Sequence, residues 1–287
     1  MDSVLVGTTL GGLYGLVALA FVLTFQTTRT LNFALGEFIT AGGFAFIAIV
    51  ALDLPAWLAV AVSVVVIGIL GTLVERFVVR PFNSGPHDIR WLLTTAGLSL
   101  IMLDLLRNSQ GAGTKALNGI GFEGFTSVAG TRVSSQFLLI LVLAIGVTLA
   151  LTWFTQRTRL GTIFRAVAED RETSSLMGLN PGLVALGAYA IAMAIAALAG
   201  IMYSAEVGLS ISTGQSLLVA GFATAILGGL DSIPGALVGG LIYGITTVVA
   251  TDLLGTAIGG VIGLVVTVVV LAVRPQGLMG RVVMEKV

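Results

Sequence analysis

The 287-residue chain has no cysteine and a single histidine. The first absence excludes a disulfide, a thiol nucleophile and a thiolate metal site. The second leaves His87 unable to build a metal cluster, and it reads as a solvated loop residue. Charge is also scarce. Lys, Arg, Asp and Glu make up 10% of the chain, 14 cations against 14 anions, where a soluble domain carries about a quarter. Zero net charge offers no electrostatic case for nucleic acid as a partner. No Ser–His–Asp set, paired-carboxylate cleft or metal-ligand cluster is present, so no catalytic residue and no metal ligand are assigned. "GAGTK" (111–115) is superficially like a phosphate loop, but Gly-Lys-Ser/Thr after a strand is missing. The chain therefore reads as a non-enzyme that binds no cofactor of its own.

Apolar residues and glycine are abundant. The chain is 56% hydrophobic with 38 glycines, nearly twice the usual glycine share of about 7%, and its mean hydropathy is +1.07. Apolar runs near 20 residues recur, which predicts an all-α polytopic transmembrane helix bundle forming one membrane domain over 1–287, surrounded by lipid. Nine spans are expected, at 4–25, 35–52, 56–74, 91–106, 136–154, 183–204, 216–230, 235–251 and 255–273. The seventh is short for a crossing of about 20 residues and suits a broken or re-entrant segment. Met1-Asp2-Ser3 is acidic where a signal peptide is basic, so the first run reads as a retained span. Glycines four apart (Gly7, Gly11, Gly15; Gly235, Gly239; Gly240, Gly244; Gly259, Gly263) predict close helix packing. "FALGEFITAGG" (33–43) and "LVAGFATAILGG" (218–229) share a composition on the second and seventh spans, which suits an inverted repeat.

Basic residues orient the spans. With loop 155–182 cytoplasmic, the inside holds Arg29, Arg76, Arg80, Arg90, Arg157, Arg159, Arg165, Arg171, Arg274, Arg281 and Lys286; the outside holds Arg107, Lys115 and Arg132. The N-terminus is then outside and the C-terminus cytoplasmic. The outer segment 107–135 is rich in Gly, Ser and Thr without helical period and reads as a loop with room for a short hairpin.

Polar groups within spans are costly and single themselves out. Glu37 is either an interfacial carboxylate on a helix first turn or a buried one pinning a broken segment beside a permeation path. Asn32 is placed to cap that helix. Asp104 and Arg107 have the spacing of an interfacial ion pair. Thr95, Ser99 and Thr224 either bond back to their own helices or line a polar seam.

"RAVAEDRETSSLMGLN" (165–180) is the polar exception, with Arg165, Glu169, Asp170, Arg171 and Glu172 among its first eight residues. No Gly or Pro interrupts Arg165 to Met177, and Gly178 and Pro181 signal a stop, so one short cytoplasmic helix is expected. Its charges of both signs, with Phe164, Val167, Leu176 and Met177, suit either a solvated face or a protein-docking one.

"TLNFALGEF" (30–38), "LLTTAGLSL" (92–100), "FRAVAEDRETSSLMGLN" (164–180) and "ILGGLDSIPGALVGGLIYG" (226–244) resemble the permease subunits of branched-chain amino-acid (LIV-type) ABC importers, in the same order along nearly the whole chain. The resemblance implies a multi-pass protein of a prokaryotic inner (plasma) membrane that pairs with a second, homologous permease. Two cytoplasmic subunits would bind ATP and Mg and hydrolyse the ATP, and an extracytoplasmic solute-binding protein would deliver the solute. It also implies that Arg165, Ala166, Glu169, Asp170, Arg171, Glu172 and Gly178 belong to the coupling helix seated on an ATPase subunit. Asn32, Glu37, Thr95, Ser99 and Thr224 are then the expected lining of the substrate path. Asp231 stands where a small residue is expected, on the inner side, with an added ATPase contact as its reading. Related permeases serve urea, amides and aromatic or other carboxylates, so the solute stays open. A self-contained secondary transporter or channel is the rival of another class; it would need paired intramembrane ionisable residues.

Overall fold

The structure is a computed structural model and describes residues 2–83, 88–111, 113–115, 125–128 and 131–280. His87, Arg281 and Lys286 lie outside the described residues. Eleven α-helices are present among them: α1 (Asp2–Thr28), α2 (Leu35–Val50), α3 (Ala56–Val74), α4 (Arg90–Gln110), α5 (Ser135–Arg157), α6 (Arg159–Glu169), α7 (Arg171–Leu176), α8 (Pro181–Glu206), α9 (Thr213–Gly228), α10 (Ile233–Leu254) and α11 (Thr256–Val273). Nine fall on the expected spans; α6 and α7 occupy the polar loop. Segment 107–135 contains an antiparallel pair of strands, β1 (Phe125–Val128) with β2 (Thr131–Ser134). Five helical stretches are long and apolar enough to cross a membrane: Ser3–Thr28, Ala56–Phe82, Leu138–Arg157, Pro181–Ala205 and Ile233–Leu254. Leu35–Val50, Thr213–Gly228 and Ile258–Val273 are shorter apolar helices.

The described chain divides into two compact units. One comprises residues 1–22, 125–152 and 220–287. Here the four-spaced glycines do what lipid demands of them, since helices there associate through close backbone approach. A Cβ on Gly11 of α1 would sit 2.7 Å from the Gly240 carbonyl oxygen of α10, and one on Gly7 would sit 2.8 Å from the Ile245 Cα. Tyr14 meets Tyr243 edge-on, with centroids 5.5 Å apart. Gly259 and Gly263 lie against Thr251, Thr247 and Tyr243, packing α11 on α10.

The other unit comprises residues 23–124 and 153–219 and is built on α8, which packs against both α2 and α3. A Cβ on Gly71 of α3 would lie 2.7 Å from the Tyr189 carbonyl oxygen, and one on Gly42 of α2 2.5 Å from the Ala197 Cα. Beyond Val74, α3 widens into a π turn, Glu75–Val79, with the Arg80 amide bonded to the Glu75 carbonyl five residues back. Pro81, which has no N–H to donate, follows in a short 3-10 turn that ends the helix.

Within this unit the turn between α1 and α2 lies against α8, where the Thr30 hydroxyl is 3.4 Å from the Tyr189 hydroxyl. In that turn, Arg29 takes a left-handed backbone (φ 55) and turns the chain. The expectation of a short seventh span holds for α9, at 16 residues, and α2 is equally short. The repeat expected between the two falls in a different register. A shift of 178 residues carries Leu35 to Thr213 and Val50 to Gly228, and the end of α1 at Thr28 to the end of α8 at Glu206. It aligns Gly36-Glu37 with Gly214-Gln215, and Gly43-Phe44-Ala45 with Gly221-Phe222-Ala223.

Candidate functional site

The polar block is two helices, not the single one expected over Arg165 to Met177. Asp170 is extended (φ −148, ψ 108) and caps α7: its carboxylate accepts from the Glu172 and Thr173 amides, both at 2.9 Å, and from the Thr173 hydroxyl at 2.6 Å. An Asp that satisfies the orphan amides of a new helix breaks the old one as effectively as Gly or Pro. The Thr173 hydroxyl and amide, followed by the Glu172 amide, hold its carboxyl below the usual carboxylate range. Upstream, α5 reverses into α6 at Gly161, where a Cβ would come 2.6 Å from the Thr155 Cα, and Thr158 caps α6 by accepting from the Gly161 amide (2.9 Å). Downstream, Gly178 at φ 84 ends α7 as expected. Asn180 caps α8, with Pro181 at its first position.

The two helices are held to their own chain. The Arg29 guanidinium donates to the Ala168 carbonyl (2.8 Å). Phe164 and Val167 are buried, which removes them from the expected docking face, whereas Leu176 (84%) and Met177 (76%) are exposed. Arg165, Glu169, Asp170, Glu172 and Gly178 are exposed, and Ala166 and Arg171 half-buried. Arg171 turns inward. Burial lowers its pKa, and the nearby Glu75 carboxylate of the π turn opposes that shift. Glu75 is itself buried (1%). Charged residues at the end of an apolar run gave a signal for Glu75, but the expected span stopped one residue short of it. A cavity of about 590 Å³ opens here, with Gln26, Arg29, Asn83, Trp91, Asp170 and Arg171 among its lining.

Of the five expected path residues, the structure brings Glu37 and Ser99 together. Glu37 is 2% exposed and neither carboxylate oxygen has a hydrogen-bond partner; the polar side chains turned toward it are Ser99 of α4 and Gln215 of α9. Glu37 is thus a buried carboxylate in the first turn of α2. Gln215 was not expected, because the seventh span was begun at 216. Asn32 is buried but does not cap α2, whose N-cap is Ala34; its Oδ1 accepts from the Ala34 amide instead (3.0 Å), a local turn that finishes before the helix starts. Thr95 bonds back to the Trp91 carbonyl (2.9 Å). Thr224, in the other unit, is buried with its hydroxyl unpartnered. The Asp104–Arg107 ion pair is not formed: Asp104 accepts from Asn108, one turn on, at 3.2 Å. Arg107 instead lines a cavity of about 210 Å³ with Leu103, Ser210, Ile211, Ser212 and Gln215. Among the described residues no cluster of three His, Cys, Asp or Glu could hold a metal.

Residues 3–273 match the family described as the branched-chain amino acid transport system permease component. The chain is 32% identical to the high-affinity branched-chain amino acid transport permease BraD of Pseudomonas aeruginosa, covering 98% of this chain and 96% of that one. It is 31% identical to LivH of Escherichia coli K12, again covering 98% and 96%. A probable branched-chain amino acid permease of Methanocaldococcus jannaschii is 28% identical over 82% of this chain and 76% of its own length. These likenesses and the apolar helices make it a multi-pass inner-membrane transport subunit. The chain belongs to the permease-component family of branched-chain amino acid transport systems.

Proposed function

We propose that this chain is a translocation subunit of an ABC importer for branched-chain amino acids. It pairs with a second, homologous permease. Two cytoplasmic subunits bind ATP and Mg and supply the work, and an extracytoplasmic binding protein supplies the solute. The N-terminus faces outside and the C-terminus the cytoplasm, as the distribution of Arg and Lys favours. Closure of the ATPase pair moves the helices through α6 and α7, which can bias a two-state bundle only through contacts that differ between its states.

The observation that carries this reading is the tip of α7. Leu176 and Met177 stand 84% and 76% exposed, beside the exposed Glu169 and Glu172, on helices anchored to the chain by Asp170 and Arg29. Two apolar side chains held out on a braced polar turn fit insertion into a groove of a partner. Arg165 and Glu169 take rim contacts. Arg171 acts from within, joining α7 to the inner end of α3, and Ala166 and Gly178 permit the close seat. Asp231, half-exposed between α9 and α10, adds a contact to an ATPase subunit.

The test is affinity purification of the chain with the ATPase subunits. Wild type should retain them, and Leu176→Asp with Met177→Asp should lose them while keeping the thermal stability of the chain. Retention by that double variant would remove the role given to α7.

A further inference from the structure

Glu75 lies just beyond the C-terminal end of α3 and is 1% exposed. Its Oε2 has no hydrogen-bond partner, Arg171 included. A carboxylate buried in this way is costly. Glu75 stands first in the π turn Glu75–Val79, and such turns within helices are frequent at functional sites. Three guanidiniums act on it through space, those of Arg80, Arg171 and Arg76. Arg76 is exposed and lies over the Phe77 ring. Arg80 is exposed and sits on the first turn of α8, where a Cβ on Gly182 would run into it. Both follow Glu75 within one short stretch of chain. Arg171 comes from another element, as the first residue of α7. The cap and flank of α7, Asp170, Arg171, Glu172 and Ser175, line the cavity of about 590 Å³, so α7 has room to shift. On α4, the Thr94 hydroxyl donates to the Val78 carbonyl of the π turn (3.1 Å). The π turn thus stands between α7 and α4.

Resting on the importer reading, we propose that Glu75 is a positioning residue for ATP-driven transport: its carboxylate pairs with the Arg171 guanidinium in one state of the bundle and releases it in the other. The open pair described here is the released arrangement. A contact made in only one of two states is what lets an outside force bias a bundle, and a pair out of water is strong enough to do so. When α7 moves, Arg171 closes on Glu75 and the π turn follows. The Val78–Thr94 hydrogen bond then carries the shift to α4, the helix of Thr95 and Ser99. Glu75 touches neither solute nor ATPase subunit; it acts through Arg171.

The test is a double-mutant cycle on the assembled transporter, with its ATPase subunits and binding protein, in proteoliposomes. The quantity read is L-leucine imported per ATP hydrolysed. Glu75→Gln and Arg171→Gln should each lower it at least about tenfold, within the range of measured pair couplings. The double variant should lose no more than either single, because both remove the same pair. Arg171→Lys keeps the cation and should retain most of the wild-type ratio. Glu75→Gln should still hold the ATPase subunits on affinity purification, which a general loss of structure would not allow. A wild-type ratio in either single Gln variant, a double loss equal to the product of the two, or release of the ATPase subunits by Glu75→Gln overturns the role. Arg171 is half-buried, so if Glu75→Gln fails to fold, Arg171→Lys against Arg171→Gln carries the test, and equal loss in those two overturns it. Failure of wild type to hold the ATPase subunits or to import on ATP sinks the importer reading itself; wild-type import with an unchanged Glu75→Gln sinks the role of Glu75 alone.

Discussion

Gly36 and Gly214 lie backbone to backbone, and a Cβ on Gly36 would be 2.6 Å from the Gly214 carbonyl oxygen. They are the second residues of two 16-residue helices, and the following residues are Glu37 and Gln215. This contact seats α2 against α9 and places the buried Glu37 carboxylate next to Ser99 and Gln215.

Any side chain at that contact must therefore push the two helices apart. Gly214→Val should lower stability by about 1–3 kcal/mol, the usual cost of overpacking. Thermal unfolding in detergent measures it. Gly97, whose Cβ would meet nothing within 4 Å, should accept Ala with little change.

The same reasoning applies to the close pairing of α1 and α10. Gly11→Leu should cost at least as much, because its Cβ already faces the Gly240 carbonyl oxygen at 2.7 Å. Gly146, with nothing near its Cβ, is the matched control, and comparison of the two melting temperatures decides.

Asp170 makes α7 pH-dependent. Its folded pKa lies below the ordinary value, so its contribution is present above the unfolded pKa of about 3.9 and disappears as pH falls through the lower folded value. Hydrogen exchange of the Glu172 and Thr173 amides should stay slow at neutral pH in wild type. In Asp170→Ala they should exchange fast at every pH, with global unfolding barely moved, since the group is on the surface.

Gly178 is required by its backbone. At φ 84 an Ala costs roughly 1–2 kcal/mol, whereas Asn tolerates that region better. Gly178→Ala should reduce ATP-coupled uptake by misplacing Leu176 and Met177, and Gly178→Asn should recover part of it. Equal uptake in both variants and wild type would show that the turn does not set the position of α7.

The sequence made nine of the helices legible, five of them long and apolar enough to cross a membrane, because long apolar runs leave few alternatives, and the four-spaced glycines reported their own packing. It did not reveal the break at Asp170, since an Asp inside a polar helix and an Asp starting a new one look alike until its acceptor partners are known. The seat of the α1–α2 turn against α8 was equally hidden, because the contact of Thr30 with Tyr189, 159 residues away, leaves no local pattern. Asp104 and Arg107 had the spacing of a pair, but Asp104 accepts from Asn108 on its own helix and Arg107 lines a cavity with Ser210 and Ser212, a neighbourhood that no local pattern records.

On the proposed importer reading, this chain moves solute only when an external motor acts on it. Accumulation of radiolabelled L-leucine in proteoliposomes tests that directly. The assembled transporter should concentrate leucine when ATP is supplied to the ATPase side, and the chain without ATPase subunits should not do so on a proton or sodium gradient. Uphill accumulation by the chain alone on either gradient would contradict the account.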